Sequence, residues 1–209
     1  MSEKIYVWDP LVRISHWSLV LSFIVCYLTG EEEDLIHAWS GYVILGLIAF
    51  RFIWGLIGSK HARFSDFIYS PANTIIYLKD MFVGKVKHYV GHNPAGGWMV
   101  MALLISLLLT SVSGLKVYGI EGYGPMASNS MVIEKPSMMM VDYQFEKVDD
   151  DDDRDHDGKE GEDFWEEIHE FLANFTVLLI ALHITGVIVS SIKEHQNLIR
   201  AMITGYKEK

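Results

Sequence analysis

Apolar residues in this chain are gathered into four blocks, at residues 14–29, 38–58, 97–115 and 171–192, with the charged positions collected between them. Each block is close to the ~20 residues that an α-helix needs to cross a ~30 Å hydrocarbon core. The pattern predicts an all-α protein, a transmembrane four-helix bundle with helices at about 14–29, 37–58, 97–118 and 165–192, forming one membrane domain over residues 1–209. Pro10 marks the first turn of the first helix. Glu31 to Asp34 form a short acidic turn that makes helices one and two antiparallel neighbours and suits the N-terminal end of helix two. An amphipathic stretch from Ser70 to Phe82, opening at Pro71, is expected on the membrane surface. The run from Gly91 to Gly97 breaks helix and leads into helix three. Residues 119–163 read as a long outer loop with Tyr118 and Tyr123 near the interface, a methionine cluster at 138–140 and an acidic run from Asp149 to Asp153; Trp165 marks the outer interface at the start of helix four.

Composition strengthens the membrane reading. Half the residues are apolar, ten are Met and the mean hydropathy is +0.20, a poor match to an ordinary soluble domain. The formal charge of −10 conceals an asymmetry between sides. With the N-terminus inside, Lys4, Arg13, Lys60, Arg63, Lys79, Lys85, Lys87, Lys193, Arg200, Lys207 and Lys209 all fall on the cytoplasmic side, and the acidic segments fall opposite. That arrangement satisfies the positive-inside rule. It places the chain in a bacterial inner membrane with both termini cytoplasmic and membrane lipid around it; no nucleic-acid partner is expected. The first block lacks a small-x-small cleavage site at Tyr27 to Gly30 and is expected to stay as a helix. The single cysteine, Cys26, makes no intrachain disulfide and reads as a small apolar residue; without a Cys-x-x-Cys-His run there is no covalent haem attachment.

The chemistry lies in four histidines at the ends of the apolar blocks. His169 and His183 are fourteen residues apart, so at ~100° and ~1.5 Å per residue one helix presents both imidazoles on one face, ~21 Å apart. His16 opens helix one on the inner side and His37 opens helix two on the outer side. Two pairs follow, His16 with His183 and His37 with His169. Ionisable residues inside a membrane face the bundle interior for a functional reason, and paired neutral imidazoles are the axial ligands of a low-spin haem b suited to electron transfer. The rival reading for any lone histidine is a hydrogen-bonded interfacial residue; four at matched depths favour two haems b. Zinc is disfavoured because neither pair has Cys or carboxylate at metal spacing, and Glu167 and Glu170 beside His169 suit the helix dipole instead. Gly41 and Gly186 lie near the ligands' faces and leave room for a porphyrin ring, and Arg51, fourteen residues from His37, is placed to pair with a propionate.

These residues also carry a family pattern: Val7, Trp8, Asp9 and Arg13 with His16 and Trp17; Arg51, Trp54, Gly55 and Gly58 with Arg63 and Phe64; the Gly91 to Gly97 segment; and His169 to His183. The chain resembles the prokaryotic cytochrome b561 family, which includes the b-type cytochrome subunits of nickel-iron hydrogenases and, more distantly, the gamma subunit of respiratory formate dehydrogenase. The resemblance implies a bundle holding two haems b, one between helices one and four and one between helices two and four. It also implies a site for menaquinone or ubiquinone beside the inner haem, with Asn93 and Gly96 similar in type and location to the relative's quinone-site residues. Beside that stands the reading of the same turn as a capped helix start. His88 and His92 are candidates for a proton relay, with interfacial residues as the preferred reading. The outer loop departs from the family pattern. It reads as a solvated acidic segment or as a docking surface for a positively charged electron carrier. Asp153, Asp155, Asp157 and Gly158 imitate a calcium loop, but Phe164 stands where the closing Glu belongs.

The function these expectations support is transfer of single electrons across the membrane between a quinone pool and a periplasmic redox partner, either a c-type cytochrome docked at the acidic loop or a hydrogenase-like enzyme. A stand-alone superoxide or small-oxidant:quinone oxidoreductase is the alternative, and the acidic outer face argues against it. A metal or proton transporter would want a broken helix or paired intramembrane acids, and neither is present in the sequence.

Overall fold

A computed structural model describes residues 4–30, 35–85, 88–127 and 152–208, with the backbone alone for Phe82 and for residues 152–160 and 162. In chain order the elements are β1 (Lys4–Tyr6), α1 (Pro10–Leu28), α2 (Leu35–Ile57), a 3-10 turn (Lys60–Ala62), α3 (Phe64–Phe67), α4 (Pro71–Val83), α5 (Pro94–Ile120), α6 (Asp152–Lys193), α7 (Leu198–Thr204) and β2 (Tyr206–Glu208). Helices α1, α2 and α5, with the Asp163–Lys193 part of α6, are long and apolar enough to span a membrane. Residues 1–111 and 172–209 form one compact unit and residues 112–171 another.

Local chemistry moves three boundaries from their expected places. Helix α1 starts at Pro10 because the Asp9 carboxylate accepts the Val12 amide at 2.9 Å and caps the first turn. Helix α5 starts at Pro94, not 97, because Asn93 Oδ1 accepts the Gly96 amide at 2.7 Å and Pro suits the first helical position. The third correction concerns the outer loop. Residues 152–163 are helical, since an acidic stretch at a helix N-terminus is favoured by the dipole. Asp153, Asp155, Asp157 and Gly158 lie within that helix. Glu31 to Asp34, the methionines at 138–140 and Asp149 to Asp151 lie outside the described residues.

In the larger unit four helices pack together. Ile44, Ile48 and Leu107 form a buried core joining α2 to α5, with Leu19, Phe23 and Cys26 of α1 packed against it. Helix α6 is tied in by polar contacts: Thr176, fully buried, lies 2.6 Å from Ser106 across to α5, and Tyr27 on α1 donates to Asn174 at 3.3 Å. Small hydroxyl residues serve this way between membrane helices, where no water competes for them. Ile14, Leu21, Ile24, Leu56 and Ile57 stand largely exposed, a costly surface in water and the natural one in lipid.

The two ends of the described chain meet. Strands β1 and β2 pair antiparallel, Lys4 with Glu208 and Tyr6 with Tyr206, and the Val7 and Trp8 amides both donate to the Gly205 carbonyl, at 2.8 and 3.1 Å. Gly205 sits at φ 88°, and a Cβ there would press on the Trp8 carbonyl at 2.8 Å, so only glycine makes this turn. Val7, Trp8 and Ala201 form a small buried cluster beside it. Three-residue strands are too short to carry a periodic signal.

Between α2 and α5 the connection is built on tight contacts. A Cβ at Gly55 would collide with the Phe64 ring, and one at Gly97 with the Phe67 carbonyl. Helix α4 follows, capped by Ser70 and ended by Gly84 at φ 79°. In the smaller unit, α5 runs out through Ile120 to a turn on which Tyr118 and Tyr123 stack at 5.3 Å.

Candidate functional site

His16 on α1 and His183 on α6 lie within electrostatic reach of one another. The Nδ1 of His16 is buried without a hydrogen-bond partner. Gly186, one turn beyond His183, and Gly41 and Gly46 on α2 have no atom within 4 Å of where a Cβ would stand. Two imidazoles on separate helices, one of them with an open glycine a turn away, are a donor set that fits a haem. Among the described residues no group of three or more His, Cys, Asp or Glu is placed to hold a metal ion.

His37, at the start of α2, is oriented by α1. Its Nδ1 lies 2.9 Å from the Cys26 carbonyl oxygen, which only accepts, so Nδ1 carries the proton and Nε2 carries the lone pair. Haem-ligating and metal-ligating histidines are commonly held by such a bond from the other ring nitrogen. Cys26 thus contributes its carbonyl as well as packing.

In the smaller unit, His169 has the same kind of support. Its Nδ1 is 3.1 Å from the Ser113 hydroxyl, and Ser113 is buried. A Cβ on neighbouring Gly114 would stand 2.8 Å from His169 Cε1, so the glycine is what admits the ring. Neither Ser113 nor Gly114 was singled out from sequence. The available signal was a polar and a small residue adjacent inside an otherwise apolar helix.

Arg51 is buried, 9 % exposed. It donates to the Ala62 carbonyl at 3.0 Å and lies over the Phe64 and Phe67 rings at 5.2 and 5.8 Å. The sequence reading had not foreseen that it also anchors the connection after α2. None of the described carboxylates lies within ion-pair distance of its guanidinium. Asp9 is the hub of the same region, accepting from Trp54 Nε1 at 3.2 Å and from Ser59. Burial alone would raise its carboxyl, but the bonds from Ser59, the Val12 amide and Trp54 outweigh that and hold it below the ordinary value. Arg63 Nε donates to the Gly58 carbonyl at 2.7 Å, where a Cβ would collide with Trp54. Asp9, Arg51, Trp54, Gly55, Gly58, Arg63 and Phe64, all part of the family pattern, therefore build one connected scaffold in the larger unit.

Asn93 and Gly96 are joined by the α5 cap. The Asn93 amide also donates toward Ser190 and Glu194, each at 3.4 Å, and Tyr77 donates to the same Glu194 oxygen at 3.3 Å. Burial, with the Glu194 charge adding to it, pushes the Tyr77 phenol up to about 12. A cavity of about 220 Å³ lies beside this network, lined by Tyr69, Asn73, Ile76, Tyr77, Asp80 and Tyr89.

His92 is enclosed by its neighbours. Its ring lies between Trp8 and Phe67, at 4.6 and 4.5 Å, and its Nδ1 is buried without a partner. Burial, then the charges of Arg51 and Lys207, push it down to about 3, so it stays neutral at physiological pH and is a poor proton carrier. His88 is exposed, with its ring against the Gln196 amide.

A protein from Azotobacter chroococcum mcd 1 described as a probable Ni/Fe-hydrogenase B-type cytochrome subunit is 29 % identical, over 57 % of this chain and 61 % of its own length. Proteins with the same description from Azotobacter vinelandii and Rhizobium leguminosarum bv. viciae are 28 % and 26 % identical. The chain thus spans about three fifths of the length of these relatives. No solved structure matches it. The family profile described as prokaryotic cytochrome b561 matches residues 7–205, and with four apolar helices beneath that match the chain belongs to this family of multi-pass membrane b-type cytochromes.

Proposed function

We propose that the chain holds two haems b and passes single electrons across a bacterial inner membrane between a quinone and a redox partner on the far side. His16 and His183 are the ligands of the inner haem, and His37 and His169 those of the outer one. A haem held by two imidazoles supplies one-electron chemistry with little rearrangement of the iron's surroundings. The chain's own work is to hold the rings, exclude water and set the charge around them. The observation that carries the reading is the His16 and His183 pair, set on two helices within electrostatic reach, with open space at Gly186 one turn from His183. The outer pair rests on the fourteen-residue repeat from His169 to His183 and on the carbonyl and hydroxyl that orient His37 and His169.

The quinone site sits at the end bearing the termini, where Asn93, Glu194 and Tyr77 offer an amide donor, a carboxylate and a phenol beside a cavity. Basic residues concentrated on that side support a cytoplasmic orientation for it. The partner is a redox protein, a hydrogenase-like enzyme or a c-type cytochrome, in keeping with the description of the relatives. The test is anaerobic mixing of the oxidised purified protein with a menaquinol or ubiquinol analogue while following the haem α-band. Haem reduction by the quinol, slowed by Asn93→Ala, is expected. Reduction by dithionite but by neither quinol would refute the quinone assignment.

A further inference from the structure

Two cations are buried without a contact ion pair at the end of the larger unit that bears the termini; Glu194 attracts Lys207 and Asp9 attracts Arg51 only from beyond that distance. Lys207, on β2, is 7 % exposed. Its ammonium donates to the carbonyls of Tyr89 at 3.3 Å and Gly91 at 2.9 Å, and none of the described carboxylates lies within ion-pair distance of it. Arg51 is in the same condition. The two are linked through stacked rings: Lys207 Nζ is 5.9 Å from Trp8, Trp8 is 4.6 Å from His92, His92 is 4.5 Å from Phe67, and Phe67 is 5.8 Å from the Arg51 guanidinium. At the centre stands His92 Nδ1, buried and without a partner. Burying a charge with no counter-charge in contact is costly, and so is burying a ring nitrogen without a hydrogen bond. Three such groups around one cluster of rings describe a region suited to an added anion.

The anion's chemistry follows from the donors, which are a guanidinium, an ammonium and a neutral imidazole, the set that binds a carboxylate or a phosphate. His92 lies within electrostatic reach of His183. We propose that Lys207, Arg51 and His92 form the carboxylate pocket of the inner haem and receive one of its propionates. This rests on His183 being that haem's ligand. It assigns Lys207 a purpose: the β1 and β2 ribbon carries a positive charge from the C-terminal segment into the site and holds it there through the Tyr89 and Gly91 carbonyls.

The test refills haem-depleted protein with haem b or with its dimethyl ester, which lacks the two negative charges, and reads uptake from the bis-imidazole Soret band in phospholipid-free detergent. Wild-type protein should bind haem b about tenfold more tightly than the ester at the site that His183→Ala abolishes. Lys207→Gln, which keeps an N–H donor but not the charge, should lose most of that preference, and Lys207→Arg should keep it. Equal binding of the two haems by wild-type protein overturns the proposal without any variant. So does a Lys207→Gln effect that is the same for both, which would make Lys207 only a tie for the turn. If the two haems bind alike and Lys207→Gln instead lowers the phospholipid retained on purification, the anion is a lipid phosphate and the proposal is wrong. Failure of wild-type protein to form any bis-imidazole spectrum dependent on His183 would instead refute the ligand assignment beneath it.

Discussion

Gly114→Ala should weaken one haem while leaving the helix that carries it as sound as before, or sounder. On helix propensity alone the change favours α5 by about 1 kcal/mol. The new methyl, however, would stand 2.8 Å from His169 Cε1 and 3.2 Å from Nδ1. Carbon atoms rest at about 3.5–4.0 Å, so the ring has to retreat by roughly 0.7 Å or more. That retreat also stretches the contact with the Ser113 hydroxyl, now 3.1 Å. Overpacking of this kind typically costs about 1–3 kcal/mol. Falling on an iron ligand, it loosens the haem about 5- to 150-fold. The measurement is the haem-to-protein ratio after extended washing, with circular dichroism for helix content and low-temperature electron paramagnetic resonance for the two ferric signals. One haem should be lost or become labile, with the other signal and the helix content unchanged. Two haems at wild-type retention, with both signals in place, would show that His169 does not need its present position and that the ligand reading of it is wrong.

Two further changes probe the scaffold around the sites. Asp9→Ala removes a helix cap and the acceptor for Trp54 and Ser59, and should destabilise the protein by about 2–4 kcal/mol, seen as a lower midpoint in thermal unfolding. Because the folded carboxyl titrates below its ordinary value, its contribution is present above that ordinary value and fades as pH falls through the folded one. Unfolding midpoints measured against pH should therefore drop at the acid end in wild-type protein and drop less in Asp9→Asn. Gly97→Ala drives a Cβ into the Phe67 carbonyl, a backbone atom that has no rotamer to escape into. It should displace α3 and cost more than 2 kcal/mol, measured as loss of folded protein after extraction, whereas Gly41→Ala, in open space, should fold normally.

The spans were legible because lipid imposes a simple rule: about twenty apolar residues in a row have few other uses. The histidine positions were legible for a related reason, since a titratable group inside such a span stands out and helical geometry converts spacing into direction. The bond between Asn93 and Gly96 is the cap of α5, as the capped-start reading expected, and sequence pattern alone could not separate that role from a ligand role. What stayed hidden depended on partners distant in the chain. The enclosure of His92 was hidden because nothing near it in sequence shows that Trp8 and Phe67 close over it. Lys207 looked like a cytoplasmic charge because the ribbon that buries it joins residues about two hundred positions apart. Arg51 was marked for the bundle interior by its spacing, but its bond to Ala62 depends on a 3-10 turn that has no signature of its own.

The most direct test of the central claim is haem stoichiometry with redox titration in the four single variants His16→Ala, His37→Ala, His169→Ala and His183→Ala. The account predicts two components in the wild-type titration, with His16→Ala and His183→Ala each losing one of them and His37→Ala and His169→Ala each losing the other. Any of the four retaining both haems, or His16→Ala and His183→Ala losing different ones, would contradict it.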